Sequence, residues 1–312
     1  MTVGDPVLIT VLAGGVGAAR FLTGLTKLVP QEDLTVIANT GDDIELFGLH
    51  ISPDIDIVTY TLAGIVDEEK GWGIKGDTFH CLGMLAKHRQ DTWFNLGDKD
   101  LATHIYRTNR LAQGIQLSQV THEICQSLGL RIKMLPMTND KFETHIKTSN
   151  GTIHFEEYFV KRHFQDAVLG VEFTGAENAK PAPGVSEALL EAQVVVICPS
   201  NPVASIGTIL SVKGVRAALQ QTKARVVGVS PIVGGVPIKG PADKLLQCLG
   251  VEVSAFGVAK LYSDFLDAFV IDSVDALEKN RIEQLGMDVT VTRTVMKSLE
   301  DKVLLAKTVL NS

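Results

Sequence analysis

Cysteine is scarce in this sequence, and its positions are widely separated. The chain of 312 residues has four cysteines and no Cys-x-x-Cys pair. This spacing argues against a zinc ribbon and against a thioredoxin-type redox centre. We expect free thiols in a reducing compartment, and therefore a cytoplasmic protein. The cysteines are Cys81, Cys125, Cys198 and Cys248.

Long apolar runs and an excess of basic residues are also missing. No run approaches the length that a membrane span needs. The short apolar stretch from Pro6 to Ala13 has no basic segment before it and a glycine loop after it, which is unlike a signal peptide. A formal net charge of −7 argues against a nucleic-acid or anionic-membrane surface. We expect neither partner, and a small soluble ligand instead.

Glycine is concentrated where the first apolar run, Val7–Ala13, ends. Gly14, Gly15 and Gly17 stand between this strand-like run and a helix-like segment. Glycines there allow a sharp turn with exposed amide groups at the positive end of a helix, which predicts a phosphate site. The alternative is a strand-to-helix turn without a ligand.

The glycine loop departs from two known phosphate motifs. Arg20 stands where the third small residue of the dinucleotide fingerprint belongs, which disfavours a plain NAD site. No Gly-Lys-Ser or Gly-Lys-Thr follows, so the lysine of a P-loop ATPase is missing. ATP hydrolysis is therefore disfavoured.

Short strand-like runs alternate with helical patterns along the chain. This alternation predicts an α/β fold with a Rossmann-like, doubly wound, mostly parallel sheet, whose site lies at the carboxyl ends of the strands. The predicted strands are Val7–Ala13, Leu34–Ala38, Val194–Cys198, Arg225–Val229, Val251–Ser254, Ala268–Ile271 and Asp288–Thr292. Helices are predicted at Ala204–Val212, Pro241–Leu249 and Leu299–Leu310.

The middle of the chain follows another pattern. We predict one domain over 1–312, with a nucleotide-binding core at 1–58 and 185–312 and an inserted region at 59–184. The insertion is mostly helical from Thr59 to Ser127 and then forms a small β annex. The annex strands are predicted at Thr144–Ile146, Ile153–Val160 and Ala167–Phe173.

Acidic residues are clustered after the second predicted strand. Asp42 and Asp43 follow Asn39 and Thr40, where an acid could hold a ribose or coordinate Mg²⁺. The alternative is an ordinary Asn-Gly-Asp turn.

A second acidic pair follows in Ser52-Pro53-Asp54-Ile55-Asp56. Ser52 and Pro53 fit a helix cap and first turn, whereas capping explains Asp54 and Asp56 only in part. Four carboxylates beside a phosphate would repel one another unless a divalent cation or a proton were present. Magnesium-assisted phosphoryl transfer would supply both.

Three further polar segments are candidates for ligand binding. Asp98, Lys99, Asp100 and His104 surround a glycine turn, which could equally be a solvated turn with a helix cap. Two other loops follow predicted strands and precede helices, so they could cradle an anion or a base edge. These loops are Ser200-Asn201-Pro202 and the segment from Ser230 through Gly234-Gly235 to Pro241.

Taken in order, these motifs closely resemble the 2-phospho-L-lactate transferase family of deazaflavin coenzyme F420 biosynthesis. The resemblance runs from the first strand to beyond Gly257. The motifs that carry it are Gly-Gly-Val-Gly-Ala-Ala-Arg-Phe, Asn-Thr-Gly-Asp-Asp, His-Ile-Ser-Pro-Asp-Ile-Asp, Gly-Trp-Gly, Leu-Gly-Asp-Lys-Asp-Leu-Ala-Thr-His, Pro-Ser-Asn-Pro and Ser-Pro-Ile-Val-Gly. Lys99 departs from the family pattern, in which arginine often stands between the two acids; lysine keeps the charge but loses the bidentate fork.

The resemblance implies a transfer between two small molecules. The donor is a guanosine diphosphate ester of lactate or enolpyruvate. The acceptor is Fo, 7,8-didemethyl-8-hydroxy-5-deazariboflavin, whose terminal ribityl hydroxyl attacks the distal phosphorus while GMP leaves. The family requires Mg²⁺ and is usually described as dimeric, so we expect a homodimer. Whether the donated group is phospholactate, phosphoenolpyruvate or phosphoglycerate stays open, since these three groups differ by a methyl, a double bond or a hydroxyl.

The resemblance and the residues together give a set of candidate site residues. Asp54 or Asp56 is expected to orient or deprotonate the acceptor hydroxyl, and Mg²⁺ is expected on Asp42, Asp43 or Asp54. The predicted substrate-binding residues are Gly14, Gly15, Gly17, Asn39, Thr40, Ser52, Thr59, Asp98, Lys99, His104, Asn201, Ser230, Gly234 and Gly235.

Two alternative functions are weighed against the transferase. A non-catalytic regulator of the same fold would bind a sugar nucleotide without turnover. A nicotinamide-dependent dehydrogenase would bind NAD tightly and is disfavoured by Arg20. The Ser-Pro-Asp-x-Asp and Gly-Asp-Lys-Asp segments favour the enzyme.

Overall fold

Seven parallel strands form the centre of the molecule. The computed structural model describes residues 7–312, so the first six residues of the predicted core lie outside the described part. The central sheet has the order β14-β13-β10-β9-β1-β2-β5, and all of its pairings are parallel. The strands are β1 Ile9–Ala13, β2 Leu34–Ala38, β3 Ile44–Leu46, β4 Leu49–Ile51, β5 Lys133–Pro136, β6 Glu143–Thr148, β7 Gly151–His154, β8 Gly170–Thr174, β9 Val194–Ile197, β10 Arg225–Val229, β11 Ile232–Val233, β12 Val236–Pro237, β13 Ala268–Asp272 and β14 Asp288–Thr292.

Helices cover both faces of this sheet. Side chains of β1 alternate between two apolar cores: Val11 packs into one and Leu12 into the other, because successive residues of a strand point to opposite faces. The helices are α1 Gly15–Leu25, α2 Pro53–Leu62, α3 His80–Lys87, α4 Asp100–Ala112, α5 Leu117–Ser127, α6 Val185–Glu191, α7 Ile206–Ser211, α8 Val215–Gln221, α9 Ala242–Cys248, α10 Ala255–Leu261, α11 Lys279–Glu283 and α12 Leu299–Leu310. The predicted doubly wound α/β fold is confirmed.

The strand order reverses between β1 and β9. From β1 the chain adds β2 and β5 on one side, whereas β9, β10, β13 and β14 follow on the other. Loops at the carboxyl ends of β1 and β9 therefore diverge and leave a crevice between them. In doubly wound sheets this switch point is where ligands bind.

The middle of the chain carries the helices α3 to α5 and a separate sheet. Strands β6, β7 and β8 pair antiparallel in the order β7-β6-β8, as the predicted annex requires. Strand β5 also lies within 59–184, yet it forms the edge of the central sheet beside β2. The predicted insertion thus shares one strand with the core. Short helical turns of other types lie at Gln31–Asp33, Glu157–Lys161 and Ser273–Glu278.

Two predicted strands need correction. Residues Val251–Ser254 form no strand; Ser254 instead caps α10, because its side chain accepts a hydrogen bond from the amide of Gly257. The predicted strand Ile153–Val160 ends at His154, and a π-helical turn follows. Both segments are apolar because they pack against the core, which periodicity alone does not separate from a strand.

Two expectations from the missing features can be compared with the structure. All four cysteines lie in the described part, and each is a free thiol. Among residues 7–312, no helix combines the length and apolar character needed to cross a membrane.

Candidate functional site

A cavity of about 520 Å³ opens at the switch point of the sheet. The glycine loop after β1 and the Pro199-Ser200-Asn201 loop after β9 form part of its wall. Carboxylates lie at its buried end, and aromatic side chains from the middle of the chain form another wall. The cavity therefore combines groups that suit a phosphorylated, partly planar ligand.

The glycine loop is fixed against the loop after β9. The hydroxyl of Ser200 accepts a hydrogen bond from the Gly14 amide (3.2 Å) and donates one to the Gly14 carbonyl (2.7 Å). A Cβ on Gly17 would lie 2.3 Å from the carbonyl oxygen of Pro199, so only glycine fits at that contact. Helix α1 begins at Gly15, and its N-terminus thus faces the cavity, as predicted from the sequence.

Asn39 holds two of the carboxylates together. Its side-chain amide donates to Asp42 Oδ2 (3.0 Å) and to Asp54 Oδ2 (2.9 Å), while its Oδ1 accepts the amide of Gly41 (2.9 Å). Asn39 is completely buried at the end of β2. The predicted binding residue Asn39 thus orients two predicted acids and is not itself part of the cavity lining.

Three buried carboxyl groups line the cavity, and all are hard to ionise. Burial, followed by the nearby charge of Asp54, raises the pKa of Asp42 well above its usual range. Burial raises the pKa of Asp54 to about 7. Burial and the charges of Asp54 and Asp43 raise the pKa of Glu156 to about 8. A cation placed among them would relieve both the repulsion and the desolvation.

Asp43 lies behind this group and faces α2 and α4. Its Oδ2 accepts a hydrogen bond from the hydroxyl of Ser52 (2.7 Å) and lies 3.0 Å from His50 Nε2. Burial raises its pKa, and these contacts oppose the rise. Ser52 stands at the N-cap of α2 with Pro53 next, as predicted, but its side chain accepts no capping hydrogen bond; its hydroxyl instead donates to Asp43.

The structure separates the two acids of α2. Asp54 points into the cavity. Asp56 instead accepts hydrogen bonds from both terminal nitrogens of Arg107, which is completely buried; Nη1 lies 3.0 Å from Asp56 Oδ2. His104 lies between Asp56 and Asp100, with its Nε2 at 3.2 Å from Asp100 Oδ1. Asp56, Asp100 and His104 are close enough to hold a metal ion, yet Arg107 already provides the positive charge there.

Asp98 and Lys99 act on a loop that forms part of the cavity wall. Asp98 accepts hydrogen bonds from the Thr78 hydroxyl and from the backbone amides at the start of α3. These hydrogen bonds lower the pKa of Asp98. Lys99 Nζ donates to the carbonyls of Lys75 (3.2 Å) and Gly76 (3.0 Å). The same loop carries Lys70, Gly71 and Trp72, which line the cavity. Both predicted binding residues thus hold the wall and are themselves outside the lining.

The remaining predicted residues fall into two groups. Asn201 lines the cavity, where its Oδ1 accepts the amides of Val203 (3.0 Å) and Ala204 (3.1 Å). The other residues are not part of the cavity lining. Thr40 and Thr59 are buried, and the hydroxyl of Ser230 forms hydrogen bonds with the backbone of Ile232. Gly234 and Gly235 form the turn between β11 and β12. The neighbouring Pro231 and the segment 237–242 line the cavity in their place.

The sequence reasoning missed Glu156 and the aromatic wall. Phe155 and Phe159 stack with ring centroids 5.8 Å apart and planes 7° apart, and both line the cavity with Trp72 and Phe94. Glu156 lies between the two stacked rings in the sequence, at the start of the π-helical turn. Only the Gly-Trp-Gly motif pointed toward this wall; Glu156 carries no local signal because the fold of the annex brings it to the cavity.

These features define a class of protein: an α/β protein with a Rossmann-like sheet, a glycine-rich loop and an acidic cavity at the switch point. The model of the 2-phospho-L-lactate transferase CofD family matches residues 9–309. The chain belongs to this family, and is therefore a transferase.

Relatives of known name agree with this membership. A phosphoenolpyruvate transferase of Streptomyces coelicolor is 46% identical over 305 residues, covering 96% of each chain. A 2-phospho-L-lactate transferase of Methanococcoides burtonii is 40% identical over 290 residues, covering 93% of this chain and 94% of that one. A solved structure of a UPF0052 family member from Bacillus halodurans has a TM-score of 0.65 at 16% identity, covering 98% of this chain and 99% of that one. This last likeness concerns the fold alone.

Proposed function

We propose that this chain transfers a phospholactate or phosphoenolpyruvate group from a guanosine diphosphate-linked donor to the ribityl hydroxyl of Fo in coenzyme F420 biosynthesis. The new bond joins the Fo oxygen to the distal phosphorus, and the bond to GMP breaks, so GMP leaves with the electron pair. One observation carries the proposal. Three buried carboxyl groups, Asp42, Asp54 and Glu156, share one cavity with the glycine loop and the start of α1.

The glycine loop is suited to the diphosphate of the donor. Gly14 and Gly15 line the cavity at the N-terminus of α1, where amide groups and the helix dipole favour negative charge. Asn201, on the loop after β9, faces the same space and is a candidate for the nucleotide side of the donor. Positioning of this kind supplies much of the catalysis in phosphoryl transfer.

The acidic end of the cavity fits Mg²⁺. Asp42 Oδ1 is buried and has no hydrogen-bond partner among residues 7–312, and oxygen ligands of this kind are those that Mg²⁺ prefers. Asp42 and Glu156 would hold the ion, with Asp43 behind them in its contacts to Ser52 and His50. When bound, Mg²⁺ neutralises charge on the phosphates.

Asp54 is the group we assign to the acceptor hydroxyl. It lines the cavity beside Gly15, and Asn39 fixes the orientation of its carboxylate. A base that titrates near neutral pH is well suited to accept a hydroxyl proton. Asp56, the other sequence candidate, is committed to Arg107 and acts through the position of α2.

The aromatic wall suits the deazaflavin ring of Fo. Phe155, Phe159 and Trp72 present flat apolar surface beside the carboxylates. A planar ring stacked there would leave its ribityl chain free to reach toward Asp54. We further propose that the active enzyme is a homodimer, as the family resemblance implies, which light scattering of the purified protein would measure.

The proposal is tested by mixing the protein with Fo, Mg²⁺ and each candidate donor and following GMP release and product mass. We expect turnover with one donor, and loss of turnover with EDTA. Asp54→Asn should lower kcat by about 10² to 10⁴-fold, because the hydroxyl loses its proton acceptor. The control is Glu45→Gln, which changes an exposed carboxylate on β3.

Two results would contradict the proposal. If no donor reacts with the wild type while Fo stays intact, transfer is excluded, and binding of a UDP-sugar without turnover would favour the regulator. If Asp54→Asn retains wild-type kcat, Asp54 is not the proton acceptor.

A further inference from the structure

The cavity has a basic side as well as an acidic end. Arg20 on α1 and Lys239 on the loop after β12 both line it, and both are exposed, whereas Asp42, Asp54 and Glu156 are buried. The two cations therefore lie toward solvent and the carboxylates lie inside. A ligand that fills the cavity would contact both ends.

Neither cation has a counter-ion in the described part of the chain. Within residues 7–312, no carboxylate oxygen lies within 4.0 Å of Arg20 or Lys239. Lys70, a third cation of the lining, differs because Asp67 lies 3.1 Å from its Nζ. Arg20 and Lys239 thus hold positive charge that the protein leaves unbalanced.

The two cations also repel each other. Partial burial of its ammonium end lowers the pKa of Lys239, and the like charge of Arg20 lowers it further. Lys239 lies against the loop at Gly71, since its Nζ is 3.8 Å from the place of a Cβ on that glycine. Two like charges beside a ligand cavity are stabilised when an anion binds between them.

We propose that Arg20 and Lys239 form a carboxylate subsite that holds the carboxylate of the transferred lactate or enolpyruvate group. The assignment rests on the proposed function, from which the donor follows. In that function, Arg20 and Lys239 recognise the transferred group and not the nucleotide. Arginine is suited to this role because its fork can donate two parallel hydrogen bonds to a carboxylate.

The donor carries two kinds of anion, and the cavity offers separate places for them. The diphosphate is matched by the glycine loop at the start of α1 and by the acidic end, where Mg²⁺ is proposed to bind. Arg20 follows Gly15 by five residues on the same helix, about 7.5 Å along the axis. The pair is thus displaced from the phosphate position, and the carboxylate is the anion that remains for it.

The test compares a ligand that has the carboxylate with one that lacks it. We expect Lys239→Gln and Arg20→Met each to raise KM for the donor by about 10- to 100-fold, the range that loss of one charged hydrogen bond gives. The inhibition constant of GDP, which has no carboxylate, should change less than threefold. Arg20→Lys should recover part of the loss. The control Lys223→Gln changes an exposed lysine in the loop before β10, outside the cavity lining, and should leave both constants unchanged.

Two outcomes overturn the subsite. If KM for the donor is unchanged in both variants, the cations do not bind it. If the GDP inhibition constant rises as much as KM, the pair binds the diphosphate and not the carboxylate. Because both residues are exposed, thermal denaturation should show folding equal to that of the wild type.

A failure of the proposed function would be recognised separately. If the wild type does not turn over any donor, calorimetric titration with phosphoenolpyruvate and with inorganic phosphate still compares an anion that carries a carboxylate with one that does not. Tighter wild-type binding of phosphoenolpyruvate that is lost in Lys239→Gln supports the subsite without turnover. Equal binding of both anions in wild type and variant rejects it.

Discussion

The buried pair of Asp56 and Arg107 decides what each acid of α2 can do. Arg107, on α4, is completely buried and binds both oxygens of Asp56. The pair thus ties the first turn of α2 to α4 and leaves Asp54, two residues earlier, pointing into the cavity. Asp56 is thus held in an ion pair and lies outside the cavity lining.

Removing one partner of this pair should be costly. We predict that Arg107→Ala or Asp56→Ala lowers the free energy of unfolding by about 3–5 kcal/mol, because the remaining charge stays buried without its partner. The double variant should lose less than the sum of the two single losses. Urea denaturation of all four proteins measures the coupling; additive losses would show that the pair is not energetically coupled.

Helix α1 begins in the glycine loop at the switch point of the sheet. Its approach to the loop after β9 is so close that a Cβ on Gly17 would meet the carbonyl of Pro199. In helix α3, by contrast, a Cβ on Gly83 would meet nothing within 4 Å. Packing therefore requires glycine at position 17, whereas the space around Gly83 admits a methyl group.

Alanine at these two glycines should have opposite effects. We predict that Gly17→Ala destabilises the protein by about 1–3 kcal/mol, since backbone must move to admit the methyl group. Gly83→Ala should stabilise it by roughly 0.5–1 kcal/mol, because glycine costs conformational entropy in a helix. Thermal denaturation measures the stability of both variants. Equal changes in stability would mean that the backbone at Pro199 moves at little cost to admit the methyl group.

Helices α4 and α5 are joined by a surface contact between Glu123 and the side chains of Arg110 and Tyr106. Glu123 of α5 accepts hydrogen bonds from Arg110 and Tyr106 of α4, which lowers its pKa from 4.5 to about 2. A carboxylate with a lowered pKa contributes stability above its unfolded-state value of 4.5. That contribution is lost as the pH falls toward 2.

The pH dependence gives a prediction for this pair of helices. Glu123→Gln should lower Tm at pH 7, and the gap to the wild type should narrow at pH 3. Because Glu123 is at the surface, the effect is expected to be small. The control is Glu187→Gln on α6, which removes an exposed carboxylate that has no ion pair among residues 7–312. A gap that is constant with pH would contradict the assignment.

At the scale of the whole molecule, the acidic end of the cavity stores electrostatic repulsion that a divalent cation would remove. Asp42 belongs to the core and Glu156 to the annex, so a cation held by both would join these two parts of the chain. Unfolding would have to release that ion. Binding of the ion should therefore stabilise the entire fold.

Magnesium should raise Tm in a saturable way. At one hundred times its dissociation constant, an ion that binds only the folded chain adds about 2.7 kcal/mol. We predict that the shift is lost in Asp42→Asn, and that NaCl of equal ionic strength does not reproduce it. An equal shift in the variant would place the ion elsewhere.

The sequence by itself determined most of the central sheet and the glycine loop at its switch point. Six of the seven predicted core strands are present, and apart from the start of β1 they match to within one residue at each end, because buried parallel strands are short apolar runs bounded by glycine, proline and asparagine. The positions of Asp42, Asp54 and Asn201 at the cavity could be predicted because these residues follow strands or begin helices, and ligand cavities in this fold lie at the carboxyl ends of the strands.

Tertiary structure alone decided which polar residues share the cavity. Glu156 and the stacked rings of Phe155 and Phe159 reach it from the annex, more than a hundred residues along the chain from the glycine loop. Asp56 turns away from it because Arg107 arrives from α4. Local sequence indicates backbone preference and burial. Contacts between distant segments depend instead on how the helices and strands pack, and this packing determines which residues line the cavity.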